Sequence, residues 1–155
     1  MDSRSKTYLE NFLSSLPVED SYRNANADSY YFCSDEGSAN HLASLVVQGV
    51  KQATASLLWS YEADNDPLPE IGQLSVITNW KGEPQCIVEV TEVEIKPYSE
   101  VTAEFAFIEG EGDKSLEYWR RVHWEFFSME CEEIGREPTQ DMLVILEQFK
   151  VIWKE

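Results

Sequence analysis

The stretch QCIVEVTEVEI, residues 85–95, decides the fold class, because its apolar side chains alternate as a half-buried strand requires. The alternation places every second side chain on one face as far as Val90. It then resumes in the opposite phase at Val93 and continues to Ile95. A slip of one residue in a pattern of period two predicts a β-bulge or a bend, as at the corner of a small barrel.

Segments on either side add strands and helices without a regular alternation. Strands are predicted over QLSVIT (73–78) and MLVILEQFKVIW (142–153), with a turn at NWKGEP. Helices are predicted over about 5–16, over an apolar stretch that ends at Gly49, from about 102, and over about 115–134. The core stripe predicted for the last helix is Leu116, Trp119, Val122, Phe126 and Met129. The resulting expectation is an α+β fold, a small barrel flanked by helices.

The composition is typical of a single globular domain. The 155 residues are 43% hydrophobic and 12% aromatic, which suffices for a packed core. No apolar run approaches the roughly 18 residues that cross a bilayer, and the first residues lack the continuous apolar region of a signal peptide. Cys33, Cys86 and Cys131 are scattered and odd in number, which predicts reduced thiols in a cytoplasmic protein.

The formal net charge of −17 restricts the ligands that this chain is expected to bind. An acidic surface repels phosphates, and gripping a long duplex requires many lysines and arginines. The charge therefore favours a small, neutral ligand over a long polynucleotide, unless Arg120, Arg121, Lys114 and Lys96 cluster beside the site. Solubility alone explains most of the acids equally well.

A compact polar group follows the second predicted helix in QGVKQATASLLW, residues 48–59. Lys51, Thr54 and Ser56 arrive within a few residues of Gly49. If the chain turns helically again, Lys51 and Thr54 share one face and line a reactive pocket. The alternative is an exposed lysine and a threonine that caps a short helix.

Two further segments carry candidate chemistry. His123 and Glu125 in HWE fit part of the zinc deaminase signature, but its P-C-x-x-C half is missing, so no metal site is predicted. The simpler interpretation of His123 is a partly buried, hydrogen-bonded histidine. EGEGD, residues 109–113, lacks the lysine of a phosphate loop and carries acids that repel phosphate. It is either a plain turn or a sharp loop that points Glu109 into a pocket.

GVKQAT fits the G-x-K-x-x-T signature of the ASCH domain, a small β-barrel related to the PUA fold, and the order of the segments after it strengthens the resemblance. These segments are PLPEIGQLSVI, CIVEVTEVEI, FAFIEGEGDKSLEYWRRVHWEFF and MLVILEQFKVIW. The chain resembles the bacterial single-domain branch over about residues 30–153. One ASCH domain over residues 1–155 is therefore expected, with residues 1–20 as an N-terminal helical extension.

The resemblance implies a cleft beside a motif helix, proposed in the family to bind RNA or nucleotide-like ligands. One branch resembles an amidohydrolase that removes the acyl group from N4-acetylcytidine, which implies catalytic roles for Lys51, Thr54 and Glu109. Another branch resembles a ribonuclease with the same lysine. The tyrosine that accompanies it has no counterpart here, because Leu45 and Val46 occupy that region.

The implied trio contains a chemical conflict. Lys51 as a base for Thr54 would need its pKa lowered from about 10.4 to about 7 or 8. A nearby Glu109 carboxylate opposes that change, because it favours the protonated lysine. The conflict resolves if Glu109 is the base, or if Lys51 stays cationic and stabilises an oxyanion.

The sequence thus predicts a cleft formed by Lys51, Thr54 and Glu109. Further ligand contacts are predicted at Gly49, Ser56, Trp59, Arg120 and His123. Trp59, Trp119 and Phe127 are candidates for stacking on a base, but aromatic residues at helical spacing are more often core, which is the favoured interpretation. The leading function is binding, with hydrolysis, of a modified nucleoside or similar small amide, without a cofactor or metal. The alternatives are an RNA-binding or RNA-cleaving module that takes short RNA, and a protein-interaction domain whose acidic face meets a basic partner. No membrane association is expected, and the oligomeric state is left open.

Overall fold

The computed structural model describes residues 1–154. The helices are α1 (Ser3–Ser14), α2 (Glu36–Val47), α3 (Leu58–Asp64), α4 (Ala103–Glu109) and α5 (Leu116–Glu133). The strands are β1 (Ala27–Tyr30), β2 (Ala53–Leu57), β3 (Leu74–Thr78), β4 (Pro84–Pro97) and β5 (Leu143–Trp153). Short 3-10 helices cover Ser21–Asn24 and Tyr98–Glu100. Helices and strands mix without a repeating unit, which confirms the predicted α+β class.

The five strands form a mixed sheet in the order β1-β3-β4-β5-β2. Strand β1 pairs with β3 in parallel, whereas the β3–β4 and β2–β5 pairs are antiparallel. Strands β1 and β2 are the two edges, so the sheet is not closed and the predicted barrel is not confirmed.

The predicted bulge lies elsewhere than the sequence pattern indicates. Strand β4 runs unbroken through the slip after Val90, and the irregular register lies at the turn between β3 and β4, between Ile77 and Thr78. Beyond the slip Val93 is half-buried, and Ile95 is 43% exposed. The second half of the strand is therefore less covered than the first.

The chain divides into two compact units, and the first contains Met1–Val50, Glu70–Thr91 and the segment from Phe149 onward. Helix α1 buries Tyr8 and Phe12 in a cluster with residues of β3 and β4. It begins at Ser3 because the Asp2 carboxylate accepts a hydrogen bond from the Ser5 amide at 2.9 Å. Helix α2 begins in the same way, with Asp35 accepting from the Ser38 amide at 2.8 Å.

The second unit contains Lys51–Pro69 and Glu92–Gln148, and all the residues of the candidate site except Gly49 belong to it. Its core joins β2, α4, α5 and the first part of β5. The buried face of α5 carries Trp119, His123, Phe127 and Cys131, whereas Met129 is 57% exposed. The predicted stripe is thus confirmed at Trp119, with Leu116 and Phe126 packed against the core, but it was wrong at Met129 and left His123 out of the buried face.

Among the described residues, every helix is too short or too polar to serve as a membrane span.

Candidate functional site

The segment after α2 places Lys51 in the interior. Gly49 adopts φ +77° and ends the helix, and the Gln52 amide donates to the carbonyl of Ile108 at 3.0 Å, which fixes the start of β2 beside the end of α4. The Lys51 side chain is 1% exposed. Its Nζ donates to the carbonyl oxygen of Ala53 at 2.8 Å. Lys51 is therefore a buried charge, not the exposed lysine of the alternative interpretation.

Two acids surround the Lys51 ammonium. Nζ lies 2.8 Å from Oε2 of Glu111 and 3.9 Å from Oε1 of Glu109. The Glu109 side chain is 1% exposed, and that of Glu111 is 13% exposed. An ammonium donates and cannot accept hydrogen bonds, and these three neighbours of Nζ, the Ala53 carbonyl included, are all acceptors. The geometry therefore matches a cationic lysine.

His123 completes the cluster from helix α5. Its Nδ1 lies 2.8 Å from the Trp119 carbonyl, one helical turn earlier, and must donate there because a carbonyl only accepts. Its Nε2 lies 3.2 Å from Oε2 of Glu109. A favourable contact between Nε2 and Oε2 requires one proton between them, and with Glu109 ionised that proton makes His123 an imidazolium. The Trp119 ring stacks on the imidazole at 4.1 Å between centroids and holds it in place.

The electrostatics agree with this assignment. Burial is the largest influence on Glu109 and on its own would raise its pKa, but the charges of His123 and Lys51, with hydrogen bonds from His123 and Trp119, together outweigh burial and lower it. Burial is the largest influence on His123 and would lower its pKa, but the charge and hydrogen bond of Glu109, with smaller effects of Glu111 and the Trp119 carbonyl, together outweigh it and raise the pKa. Two cations, Lys51 and His123, face two anions, Glu109 and Glu111. We call these four residues the charge cluster, and its formal charge is zero.

The charge cluster also has the spacing of a cation site. Glu109, Glu111 and His123 each offer one ligand atom, and these atoms lie within 4.8 Å of one another. The Lys51 ammonium, 2.8 Å from Glu111, already supplies positive charge there. A divalent cation would have to sit beside an ammonium and an imidazolium, which Coulomb repulsion opposes.

Glu111 lies in a loop whose backbone requires glycine. Gly110 and Gly112 flank it with φ of +74° and +57°, values that residues with a Cβ rarely adopt. A Cβ on Gly112 would also overlap the ring of Tyr118. The sequence analysis treated EGEGD as one unit and missed Glu111 as a site residue, although glycines on both sides were the available signal.

Gly112→Ala is expected to destabilise the protein more than Gly135→Ala. Both glycines have positive φ, +57° and +74°, but only Gly112 faces a ring, and nothing lies within 4 Å of a Cβ on Gly135. Backbone strain lowers the free energy of unfolding of each variant by about 1–2 kcal/mol. The overlap with Tyr118 causes a further loss in the Gly112 variant alone. Urea unfolding compares the two free energies, and equal losses would contradict the role given to Tyr118.

Thr54 is positioned by a strand, not by the predicted motif helix. It lies in β2 opposite Glu147 and is half-buried. The expectation of a helical face shared by Lys51 and Thr54 was wrong, because the chain becomes extended at Ala53. Thr54 is not among the hydrogen-bond or ion-pair partners of Glu109 and His123 in residues 1–154.

The remaining predicted residues have other neighbours. Ser56 lies in β2 opposite Ile145. Trp59, in α3, has the guanidinium of Arg136 over its ring at 4.6 Å. Arg120 is exposed on α5, and its carbonyl accepts a 2.6 Å hydrogen bond from the Tyr98 hydroxyl.

Two of the three aromatic candidates for stacking are core residues, as the favoured interpretation expected. Trp119 is 2% exposed and Phe127 is fully buried. Trp119 stacks on His123 instead of a ligand, and Phe127 contacts the same ring at 5.6 Å. Aromatic residues at helical spacing are most often core, and the structure places these two there.

A shallow pocket of about 440 Å³ lies in the first unit, with Ser5, Tyr30, Tyr31 and Thr78 in its lining. None of the predicted site residues lines it. It is therefore a different feature from the charge cluster.

The Glu109–His123 pair predicts a definite dependence of stability on pH. The pKa of His123 is raised above 6.5, so its contribution is complete below pH 6.5 and is lost as the pH rises through the folded value. The pKa of Glu109 is lowered below 4.5, so its contribution is complete above pH 4.5 and is lost as the pH falls through the folded value. Lys51 and Glu111 also face this pair.

The stabilisation lost in His123→Gln should therefore be largest between about pH 4.5 and 6.5 and should shrink toward alkaline pH. Unfolding free energies of both proteins across pH test this. The exposed His41→Gln is the control. A difference that grows above pH 8 would contradict the ion pair.

Comparison with known proteins gives consistent matches. The family model of the ASCH domain matches residues 28–153. The crystal structure of an ASCH domain from Lactobacillus crispatus JV V101 superposes with a TM-score of 0.92 at 46% identity, covering 97% of this chain and 95% of that one. Protein EF3133 from Enterococcus faecalis V583 superposes with a TM-score of 0.83 at 29% identity, covering 98% and 90%. No match was found among curated protein sequences.

Proposed function

Because the chain belongs to the ASCH domain family, we propose that it binds a nucleoside-like ligand at Lys51 and hydrolyses an amide of that ligand, such as N4-acetylcytidine. The observation that carries the proposal is the buried contact between Lys51 and Glu109, at 3.9 Å with both side chains 1% exposed. Amide hydrolysis needs a base and a group that stabilises an oxyanion, and both act more strongly away from water.

In the proposed reaction Glu109 is the base and Lys51 remains cationic. A nucleophilic oxygen attacks the acyl carbon while its proton passes to Glu109. The carbonyl oxygen becomes an oxyanion that the Lys51 ammonium stabilises. The carbon–nitrogen bond then breaks, and the amine leaves with the proton from Glu109. With water as the nucleophile the products are cytidine and acetate.

This assignment resolves the conflict within the implied trio. The neighbours of Nζ are hydrogen-bond acceptors, which suits an ammonium that acts as an electrostatic group. Glu109 is a weak base at rest, because His123 and Lys51 lower its pKa.

Thr54 is proposed as the nucleophile or as the group that orients the attacking water. Its place in β2, three residues after Lys51, keeps it close along the chain. A threonine nucleophile would first form an ester with the acyl group, which water then cleaves with Glu109 as the base. Mass spectrometry of the wild-type protein, quenched in acid during turnover of excess N4-acetylcytidine, separates the two roles, because only the ester adds one acetyl group to the protein.

The test is chromatography of N4-acetylcytidine with wild type, Lys51→Ala, Thr54→Ala and Glu109→Gln. Wild type is expected to release cytidine, and the Lys51 and Glu109 variants should lose about 10²–10³-fold in rate. Lys81→Ala makes the same change at an exposed lysine and should keep the activity. Circular dichroism establishes that each variant is folded. If wild type leaves the nucleoside intact, hydrolysis of this substrate is rejected.

A second candidate is RNA binding, which ASCH domains are generally thought to perform. The exposed side of the first unit offers an aromatic pair, Tyr31 and Trp80, with ring centroids 5.0 Å apart and Tyr31 43% exposed. Such rings stack on unpaired bases. The net charge of −17 opposes long RNA, so the test is fluorescence anisotropy with short oligonucleotides at low salt, with Tyr31→Ala as the variant.

The enclosure of Lys51 and Glu109 favours a third candidate, a non-catalytic domain that meets a basic protein partner. Their side chains are 1% exposed, so a ligand reaches them only if a neighbouring group moves. Absence of both turnover and nucleoside binding would favour this candidate.

A further inference from the structure

We propose that Glu111 is a specificity-determining residue that occupies Lys51 in the free protein and biases the site against phosphorylated ligands. The inference rests on the proposed function in one respect, namely that Lys51 is the group that binds the ligand. It assigns to Glu111 a role that neither the motif nor the predicted trio includes.

The first step is that a ligand oxygen must replace an existing partner of Lys51. Nζ already donates to the Ala53 carbonyl at 2.8 Å and contacts Glu111 at 2.8 Å. The Ala53 carbonyl belongs to strand β2, and Glu109 is 1% exposed and paired with His123. Neither of these can leave without disrupting the core.

The second step is that Glu111 can leave. Its side chain is 13% exposed, whereas that of Glu109, the other acid beside Lys51, is 1% exposed. The glycines on either side have positive φ and no Cβ, so the backbone at Glu111 can rotate at lower cost than at most positions. Glu111 is therefore the partner that a ligand oxygen replaces.

The third step is that Glu111 cannot go far. Glu109 anchors the loop on one side through its buried pairs with Lys51 and His123. Asp113 anchors the other side, where its Oδ1 accepts from the Ser115 amide at 2.9 Å, and Ser115 in turn caps α5 by accepting from the Tyr118 amide at 3.1 Å. Only three residues separate these anchors, so the Glu111 carboxylate stays near Lys51 after it moves.

The selectivity follows from these steps. A neutral nucleoside competes with Glu111 for Lys51 only through its oxygen. A phosphorylated ligand meets in addition a negative charge that the loop keeps nearby, within the range where Coulomb interactions are poorly screened. Because the charge cluster sums to zero, no excess positive charge offsets this repulsion. Glu111 therefore favours uncharged ligands over phosphates.

The test removes the charge and keeps the shape. Calorimetry measures inorganic phosphate, N4-acetylcytidine and its 5′-monophosphate binding to wild type, Glu111→Gln and the control Glu117→Gln, an exposed acid in the first turn of α5. In Glu111→Gln the affinities for phosphate and for the monophosphate are expected to rise about tenfold or more, and that for the nucleoside to rise less. Glu117→Gln should match wild type.

The inorganic phosphate series keeps this inference separate from the proposed function. If wild type binds no nucleoside but Glu111→Gln gains phosphate affinity that Lys51→Ala/Glu111→Gln lacks, the proposed substrate is wrong and the role of Glu111 stands. If Glu111→Gln gains no more phosphate affinity than Glu117→Gln, the role of Glu111 is rejected, whatever the nucleoside does. Equal gains for nucleoside and monophosphate would also reject it, because Glu111 would then compete without selecting by charge.

Discussion

Lys51→Met is expected to lower the free energy of unfolding by about 3 kcal/mol, because it removes the central cation of a buried cluster. Breaking a buried ion pair typically costs about 3–5 kcal/mol, since the remaining partner is left as an uncompensated charge. Here the Ala53 carbonyl also loses its 2.8 Å donor. The loss is placed at the lower end of that range because Glu111, 13% exposed, can turn to solvent.

The double variant Lys51→Met/Glu111→Gln separates charge imbalance from lost packing. It leaves His123 and Glu109 as a balanced pair, so it should be less destabilised than the sum of the two single variants. The coupling is expected to be about 1–3 kcal/mol. Urea unfolding followed by circular dichroism measures all four proteins. Additive losses would mean that the 2.8 Å contact between Lys51 and Glu111 contributes nothing to stability in solution.

Trp119→Ala is expected to lower the free energy of unfolding by about 3–5 kcal/mol, the usual cost of truncating a buried aromatic side chain. Trp119 is 2% exposed and lies in the core of the second unit. Its ring stacks on His123 at 4.1 Å and packs against Tyr98 at 5.6 Å. The truncation therefore leaves a cavity beside the His123–Glu109 pair as well as in the apolar core.

Trp80→Ala is the matched control, since Trp80 is only half-buried. Its expected loss is about 1 kcal/mol, typical of a residue outside the core. Trp119→Phe keeps an aromatic ring and should fall between the two. Urea unfolding gives the free energies of unfolding of the three variants, if the dependence on denaturant concentration is the same for all of them. Equal losses for Trp119→Ala and Trp80→Ala would contradict the position of Trp119 in the core.

The sequence predicted elements well where a single physical signal governs them. Capping residues and apolar periodicity predicted helices α1, α2, α4 and α5 and the final strand, but not the short helix α3. The resemblance carried by GVKQAT predicted the family, which the match over residues 28–153 confirms. The prediction failed where burial depends on distant partners. His123 turns inward only because Glu109, 14 positions away, offers a carboxylate at 3.2 Å, and helix periodicity alone contains no such information.

The site residues also differ in how far the sequence alone could predict them. Lys51 and Glu109, which the resemblance supplied, lie together in the structure. Thr54 lies on a strand where a helix had been considered, and its β-branched side chain, which favours strands over helices, was the signal that the spacing argument overlooked. Glu111 was missed because an acid between two glycines is typical of a solvent-exposed turn. Only the structure shows its 2.8 Å contact with Lys51. Cytoplasmic location stays a prediction.

The zero sum of the charge cluster also limits how this protein can change during evolution. Replacing any one of its four members leaves an uncompensated charge at a nearly inaccessible position. If two members are replaced one after the other, the protein that carries only the first substitution has a lower free energy of unfolding. That loss is a large part of a typical total stability of about 5–15 kcal/mol. Relatives that lack Lys51 should have lost an acid as well, and aligned family sequences should show positions 51, 109, 111 and 123 varying in oppositely charged pairs rather than singly.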